Sequence, residues 1–127
     1  MGVTTPWPTS SRRENAHGRK MALFPTGTDW ADARRSAGLA TSNHEDMHAG
    51  ELETSILLHA HPELVRDGYQ AADWTVDDRR YLLTTGMVKY TRNGVIGRPS
   101  LASAEKGKAV LASLVERFAS VLEILQR

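Results

Sequence analysis

The sequence lacks cysteine altogether and has almost no excess of charge. Without cysteine there are no disulfides, thiolate metal sites or cysteine nucleophiles, so His, Asp and Glu remain as the strong candidate metal ligands. The 16 basic and 15 acidic residues leave a net charge of +1, which gives no overall field to attract nucleic acid or an anionic membrane. We therefore expect a cytoplasmic protein with small or mixed-charge partners.

Long apolar runs are also missing. The longest run of Val, Ile and Leu is Ile56, Leu57 and Leu58, well short of the roughly 20 apolar residues that a membrane helix needs. The first residues contain no apolar stretch typical of a secretory signal. Hydrophobic residues still make up 40% of the chain, which is enough for one core in 127 residues. The sequence predicts one domain at most, with no membrane span.

Residues 1–20 differ in composition from the rest of the chain. They contain two prolines, a Ser/Thr cluster and four basic residues, without apolar periodicity. This pattern predicts disorder or a misassigned start; a phosphate-binding basic arm is the weaker alternative, because interleaved aromatic residues are missing. The folded part is expected over residues 21–127.

The first predicted elements form the beginning of a βα unit. Residues Met21 to Phe24 are a short apolar run followed by Pro25, which predicts a brief buried strand. A helix should follow, with Thr28 as its N-terminal cap and Gly38 at its end. Since such a strand needs parallel neighbours, this order indicates an α/β fold with a mainly parallel sheet.

Two further helices are predicted from apolar spacing. One runs from Glu51 to His61 and is closed by Pro62. Between the helices, Asn93 and Gly94 would suit a hairpin turn, but a loop is preferred because glycine and proline soon interrupt the second strand. The last helix is long and amphipathic, with its apolar residues at Gly107, Val110, Leu111, Leu114, Val115, Phe118, Val121, Leu122 and Leu125. One strand and two short helices do not close a core over this stripe, so we expect missing strands or an obligatory partner.

The densest polar cluster lies just before and inside the predicted second helix. If residues 44–48 are extended, alternate side chains point to one side, and Gly50 lets the chain turn sharply into the helix. Imidazole and carboxylate groups would then converge, as a divalent metal site or a proton-transfer site requires. The alternative is structural, because acidic residues stabilise any helix start. The residues concerned are His44, Asp46, His48, Glu51 and Glu53.

A family resemblance rests on this cluster. The run from Asp46 to Ser55, together with Pro62 to Val65 just after it, resembles the His-Gly to Glu-Thr-Ser signature of the creatininase (creatinine amidohydrolase) family. A second stretch, from Gly94 to Ser100 and on through residues 102–107, is similar to the family segment that leads into its final helix. The resemblance covers residues 21–127 in family order.

This resemblance implies a fold, an assembly and a chemistry. The fold class expected is α/β, as the C-terminal half of an α/β/α sandwich with a mainly parallel sheet, incomplete in this chain. Family members are commonly hexamers that hold two divalent metals, zinc or manganese and in some cases iron, and hydrolyse amide bonds. The chain is therefore expected to belong to a homo-oligomeric, metal-dependent hydrolase of a non-peptide amide C–N bond, cyclic or linear, in a small-molecule substrate. It would be truncated and inactive alone; the alternative is a non-catalytic module that packs with a full-length homologue.

The resemblance also assigns roles to residues. His48 matches the histidine that transfers protons, and Glu53 matches a glutamate at the metal centre, while His44, Asp46 and Glu51 become candidates for substrate contacts or support. His44 and Met47 stand where creatininase has a tryptophan and a glutamate, which argues against creatinine itself as the substrate. The family's early Glu, His-Gly and Asp ligands and its Asn-Gly-His motif have no recognisable counterpart in the sequence.

Overall fold

The chain folds as a set of packed helices joined by long loops. A computed structural model describes residues 6–127. Its α-helices are α1 (Pro6–Ala16), α2 (Gly27–Ser36), α3 (Glu51–Ala60), α4 (Leu82–Thr85) and α5 (Ala104–Gln126). Short 3-10 turns lie at Pro62–Leu64, Tyr69–Ala71, Met87–Lys89 and Pro99–Leu101.

The predicted α/β sandwich with a parallel sheet is wrong for the described part of the chain. Residues 6–127 contain no strand, and their β-type pairing is limited to isolated bridges of His48 with Ile96 and of Trp74 with Gly97. The segment predicted as a strand at residues 21–24 is irregular, because no neighbouring strand pairs with its backbone groups. Its Phe24 ring instead packs edge-on against Phe118 of α5, with the ring centroids 5.2 Å apart.

The N-terminal part departs from the sequence prediction in two places. Residues Pro6–Ala16 form helix α1, although disorder was predicted there. The cap of α2 is Thr26 rather than Thr28: the Thr26 hydroxyl accepts a hydrogen bond from the Asp29 amide, and the Asp29 carboxylate accepts one from the Thr26 amide at 2.8 Å. This reciprocal pair is a capping box, which needs the acidic residue three positions after the cap. The division of the chain at residue 21 stays a prediction.

The later helices agree well with their predictions. Helix α3 ends at Ala60, just before His61 and Pro62, and α5 covers the whole predicted apolar stripe. The region around Asn93 and Gly94 is a loop, as preferred. No helix within residues 6–127 is both long and apolar enough to cross a membrane.

The core lies where α5 packs across α2 and α3. Its buried residues are Ala33 of α2, Leu52 of α3, and Val110 and Leu114 of α5. Helices α3 and α5 approach closely at Gly107, where a Cβ atom would lie 1.9 Å from the Ser55 carbonyl oxygen. Much of the α5 stripe stays uncovered within this fold; the Val115 side chain, for example, is 73% exposed.

Because of this close approach, Gly107→Ala should destabilise the fold. The new methyl group meets backbone rather than a flexible side chain, so α3 and α5 must separate, at a cost of about 1–3 kcal/mol. Gly27→Ala is the matched control, since no atom lies within 4 Å of the added Cβ. Urea unfolding followed by circular dichroism measures both; equal stability of the two variants would show that the α3–α5 contact is not tight.

Candidate active site at the start of the third helix

The turn into α3 begins from a fixed backbone. The amide of His48 donates to the Ile96 carbonyl at 2.9 Å, the amide of Ile96 returns a bond of the same length, and the Met47 amide also reaches the Ile96 carbonyl at 2.8 Å. Ala49 then adopts a left-handed conformation with φ 52°, and the helix starts at Glu51. A left-handed alanine is uncommon and costs of the order of 1 kcal/mol, so this turn needs support from its surroundings.

Asp46 provides the cap of α3 from four residues before the formal cap position. Its carboxylate accepts the amides of Glu51 at 2.8 Å and Leu52 at 2.9 Å, two of the donors that a helix start leaves unpaired. Arg34 of α2 binds the same carboxylate at 3.0 Å. A Cβ atom at Gly50 would lie 1.5 Å from an Asp46 oxygen, so only glycine allows this approach.

Glu51 is the second buried carboxylate of the helix start. Its side chain has no exposed surface and accepts hydrogen bonds from Lys106 Nζ at 2.6 Å, the Thr41 hydroxyl at 2.7 Å, and the amides of Ala40 and Thr41. Burial by itself would raise the pKa of Glu51, but the hydrogen bonds from Lys106 and Thr41 together outweigh it, so the pKa lies below its ordinary value. The side chain thereby ties α3 to α5 and to the loop after α2.

His48 and Glu53 are brought together on the outside of this turn. His48 Nδ1 lies 3.9 Å from Glu53 Oε2, and both side chains are about half exposed. The same glutamate oxygen accepts a short hydrogen bond from the Ala49 amide, and the Thr54 hydroxyl donates to the Ala49 carbonyl at 3.3 Å. Imidazole and carboxylate therefore face solvent as a pair, next to a backbone turn that α3 holds in place.

His44 does not join this pair. Residues 42–46 form a turn, with the Asp46 amide bonded to the Ser42 carbonyl, so the condition of an extended segment over residues 44–48 is not met. His44 Nε2 instead lies 2.9 Å from Asp77 Oδ1, and Arg79 donates to the His44 carbonyl at 2.7 Å. The cluster separates into the exposed His48–Glu53 pair, the two buried carboxylates of Asp46 and Glu51, and His44, which contacts the loop at residues 76–79.

Sequence reasoning missed the partners of the buried carboxylates. These partners are Arg34 of α2 and Lys106 of α5, which bind Asp46 and Glu51 respectively. Arg34 also reaches the Asn43 side chain at 2.6 Å, which closes the loop over residues 41–46. No local spacing indicates these contacts, because Arg34 lies 12 residues from Asp46 and Lys106 lies 55 residues from Glu51.

A groove of about 720 Å³ runs along the site between α2 and α3. Glu53 and Ala49 line its wall on the side of α3, and Trp30 lines the opposite wall on the side of α2. Further apolar walls come from Met47, Leu52, Ile56 and Leu57. The exposed carboxylate of Glu53 thus borders an apolar groove that is large enough for several side chains of a ligand.

Metal-ligating side chains at this site are few among the described residues. Within residues 6–127, no group of three or more His, Cys, Asp or Glu side chains is arranged to hold a metal ion. His48 and Glu53 offer two exposed donor groups, whereas a catalytic zinc needs about three protein ligands. Within residues 6–127, the structure thus brings together two donors of the kind that the family resemblance implies, at the turn before α3.

Comparison with known proteins places the chain in a family. The sequence model of the creatininase (creatinine amidohydrolase) family matches residues 7–122, and the chain belongs to this family. The match begins at residue 7, so it includes much of the segment that the sequence analysis left outside the family resemblance.

The curated relatives share one name. The chain is 33% identical over 112 residues to the mycofactocin precursor peptide peptidase of two Mycobacterium tuberculosis strains, CDC 1551 and H37Rv; the match covers 80% of this chain and 43% of each relative. The protein of the same name from Mycobacterium ulcerans is 34% identical over 74 residues, covering 56% of this chain and 30% of the relative. No solved structure matches significantly. The chain spans less than half the length of these relatives.

The lowered pKa of Glu51 predicts how stability depends on pH. Since the folded-state pKa lies below the ordinary value of 4.5, the unfolded chain takes up this proton first as pH falls. The contribution of Glu51 is therefore present above about pH 4.5 and is lost as pH falls through the folded-state value. Glu51→Gln should lower the unfolding free energy at pH 7 by about 1.5–3 kcal/mol and flatten its acid dependence.

Urea titrations at several pH values between 3 and 7 measure this effect. Glu105→Gln, which removes an exposed carboxylate from the first turn of α5, is the control and should leave the pH dependence nearly unchanged. If the unfolding free energy of the Glu51→Gln variant and of the unaltered chain depended on pH equally, Glu51 would not be a buried, charged link between α3 and α5.

Proposed function

We propose that this chain forms part of a creatininase-family amide hydrolase in which His48 transfers protons and Glu53 binds a catalytic metal. The convergence of His48 and Glu53 on the turn before α3 carries this proposal. Family membership supports it, because the same two residues match the family signature. Asp46 and Glu51 support the site from below by holding the helix start, whereas His44 contacts the neighbouring loop.

His48 has the surroundings that a general acid or base needs. Its ring is half exposed, so a substrate can reach it, while its backbone is held from both sides by Ile96. Its Nδ1 lies 3.9 Å from a Glu53 carboxylate oxygen, and imidazole is the side chain that most often serves as a general acid or base. We infer that His48 delivers a proton to the nitrogen of the amide leaving group.

Glu53 is the residue of this chain that we assign to a divalent metal, zinc, manganese or iron. Such an ion, when bound, would polarise the amide carbonyl and activate a water molecule. One Glu53 oxygen is oriented by the Ala49 amide, which presents the carboxylate to the groove. At least one further ligand must come from outside the described residues, since these hold no group of three.

A peptide is the substrate class we propose, in place of the non-peptide amide expected from the sequence. The relatives are named as peptidases of a precursor peptide. The open groove beside Glu53 supports this choice, because its apolar walls suit the side chains of an extended peptide.

A second candidate function is an interaction module without catalysis. Exposed apolar side chains favour it: Leu83 in α4, Val88 in the 3-10 turn after it and Val115 on α5 are each more than 70% exposed. Surfaces of this kind mark contacts with other chains. In either case we propose assembly into a homo-oligomer, a hexamer by analogy with the family, or with a longer homologue.

Loss of the His48 side chain separates the two functions. The chain is co-expressed with the N-terminal part of the Mycobacterium tuberculosis relative, and hydrolysis of a precursor peptide is followed by mass spectrometry. His48→Ala should reduce turnover by about 10²- to 10⁴-fold, as expected for a lost general acid or base. His59→Ala, an exposed histidine on the same helix, is the control and should change turnover little. An assembly that forms but is inactive, or is unaffected by His48→Ala, would favour the interaction module.

Zinc affinity of the chain alone tests the count of ligands. With two donors on an exposed turn, binding should be far weaker than the roughly 10–16 kcal/mol of complete structural zinc sites, and no amidase activity is expected. Calorimetric titration compares the unaltered chain with Glu53→Gln, which should weaken binding further. Glu63→Gln is a close control, because His61 and Glu63 form another exposed histidine–glutamate pair, at 3.0 Å. Tight binding of two ions that Glu53→Gln abolishes would show that this chain carries a whole metal centre.

A further inference from the structure

Ala49 is the backbone position that joins His48 to the helix carrying Glu53. Among residues 6–127 it is the one non-glycine residue with a positive φ. A residue of this kind relaxes to the right-handed or extended region unless its surroundings hold both of its adjoining peptide planes. The geometry of the His48–Glu53 pair therefore depends on whatever fixes these two planes.

We propose that Thr54 is a positioning residue, which holds Ala49 in its left-handed conformation and thereby keeps His48 beside Glu53. This inference rests on the proposed function of that pair. Thr54 donates its hydroxyl hydrogen to the Ala49 carbonyl at 3.3 Å and is itself buried. The family resemblance assigns a role to Glu53 but none to Thr54.

The two peptide planes around Ala49 are held by neighbouring side chains of α3. Glu53 accepts the Ala49 amide and so fixes the plane before the residue, whereas Thr54 fixes the plane after it. Together they set φ and ψ, the two soft torsions of a residue. His48 is held on its other side by paired bonds to Ile96. If Thr54 no longer binds the carbonyl, the ψ torsion of Ala49 can change, and His48 can then move relative to helix α3.

Glu53 and Thr54 differ in their exposure and in their other contacts. The Glu53 carboxylate is half exposed and also faces His48, so a bound ion or substrate would compete for it. The Thr54 side chain is buried at the wall of the groove, and the proposed chemistry gives it neither a proton nor a metal to bind. Thr54 can therefore keep Ala49 in place while Glu53 acts, which explains why a hydroxyl is useful directly after the glutamate.

The test compares variants of nearly equal size in the full 127-residue chain. Thr54→Val removes the hydroxyl and keeps the shape, whereas Thr54→Ser keeps the hydroxyl. Amide hydrogen exchange at Ala49 should accelerate about two- to tenfold in Thr54→Val, the range for one lost hydrogen bond, and less than twofold in Thr54→Ser. Thr85→Val, which removes a hydroxyl that donates to the Tyr81 carbonyl at 2.9 Å, should leave Ala49 unchanged. Unchanged exchange at Ala49 in Thr54→Val would overturn the inference.

The separate effects on kcat and KM in the co-expressed assembly distinguish a positioning role of Thr54 from a purely structural one. In Thr54→Val, kcat should fall about tenfold or more with KM nearly constant, because a small misplacement of a catalytic group acts on the chemical step. Thr54→Ser should retain kcat within about twofold. Adding Ala49→Gly to Thr54→Val should recover part of the loss, since glycine adopts positive φ without strain.

The outcomes separate this inference from the proposed function. If His48→Ala impairs the assembly and Thr54→Val does not, the positioning role is wrong and the proposed function stands. If His48→Ala has no effect, the proposed function fails, and the exchange data on the chain alone still decide whether Thr54 holds Ala49.

Discussion

The buried carboxylate of Asp46 is the contact from which the arrangement of the site follows. It pairs with Arg34 of α2 and caps the first two amides of α3, so it joins two helices that are separate in sequence. A buried charge is tolerated here because both carboxylate oxygens accept hydrogen bonds, and removal of Asp46 or Arg34 would leave the other buried and unpaired. Gly50 follows from the same contact, since a side chain there would occupy the position of the carboxylate.

Helical geometry divides the acidic residues of α3 between support and chemistry. Glu51 and Glu53 are two positions apart, which turns their side chains by about 200° around the helix. One therefore points inward to Lys106 and Thr41, and the other points outward to His48. The candidate active site is thus the outer side of a helix start whose inner side is fixed by hydrogen bonds from Lys106, Thr41 and Ala40.

Both the exposed apolar surface of α5 and the candidate metal site lack partners within residues 6–127. Part of the α5 stripe stays exposed, and the exposed pair offers two metal donors where a catalytic centre needs more. The relatives that match are more than twice the length covered by the match. These observations are consistent with one proposal, in which a further polypeptide segment supplies both the missing ligands and a cover for the apolar surface.

Local signals in the sequence determined the helices α3 and α5 and the cluster around His48. Apolar spacing, the acidic first turn of α3 and Pro62 suffice for this, because they depend on neighbours within a few residues. The family signature likewise lies in one continuous run. The cap of α2 was misplaced by two residues, since Thr26 and Thr28 are both plausible caps and only the position of Asp29 decides between them.

The tertiary structure alone decided which members of the cluster meet. The Asp46 carboxylate is buried because it binds Arg34 of α2, and the Glu51 carboxylate is buried because it binds Lys106 of α5. His44 instead contacts Asp77, away from both. The same holds for the missing sheet: residues 21–24 have strand composition, but a strand exists only where a neighbour accepts its hydrogen bonds. Sequence periodicity reports which side of an element is apolar, whereas the partner of a buried charge or of a strand is set by residues far along the chain.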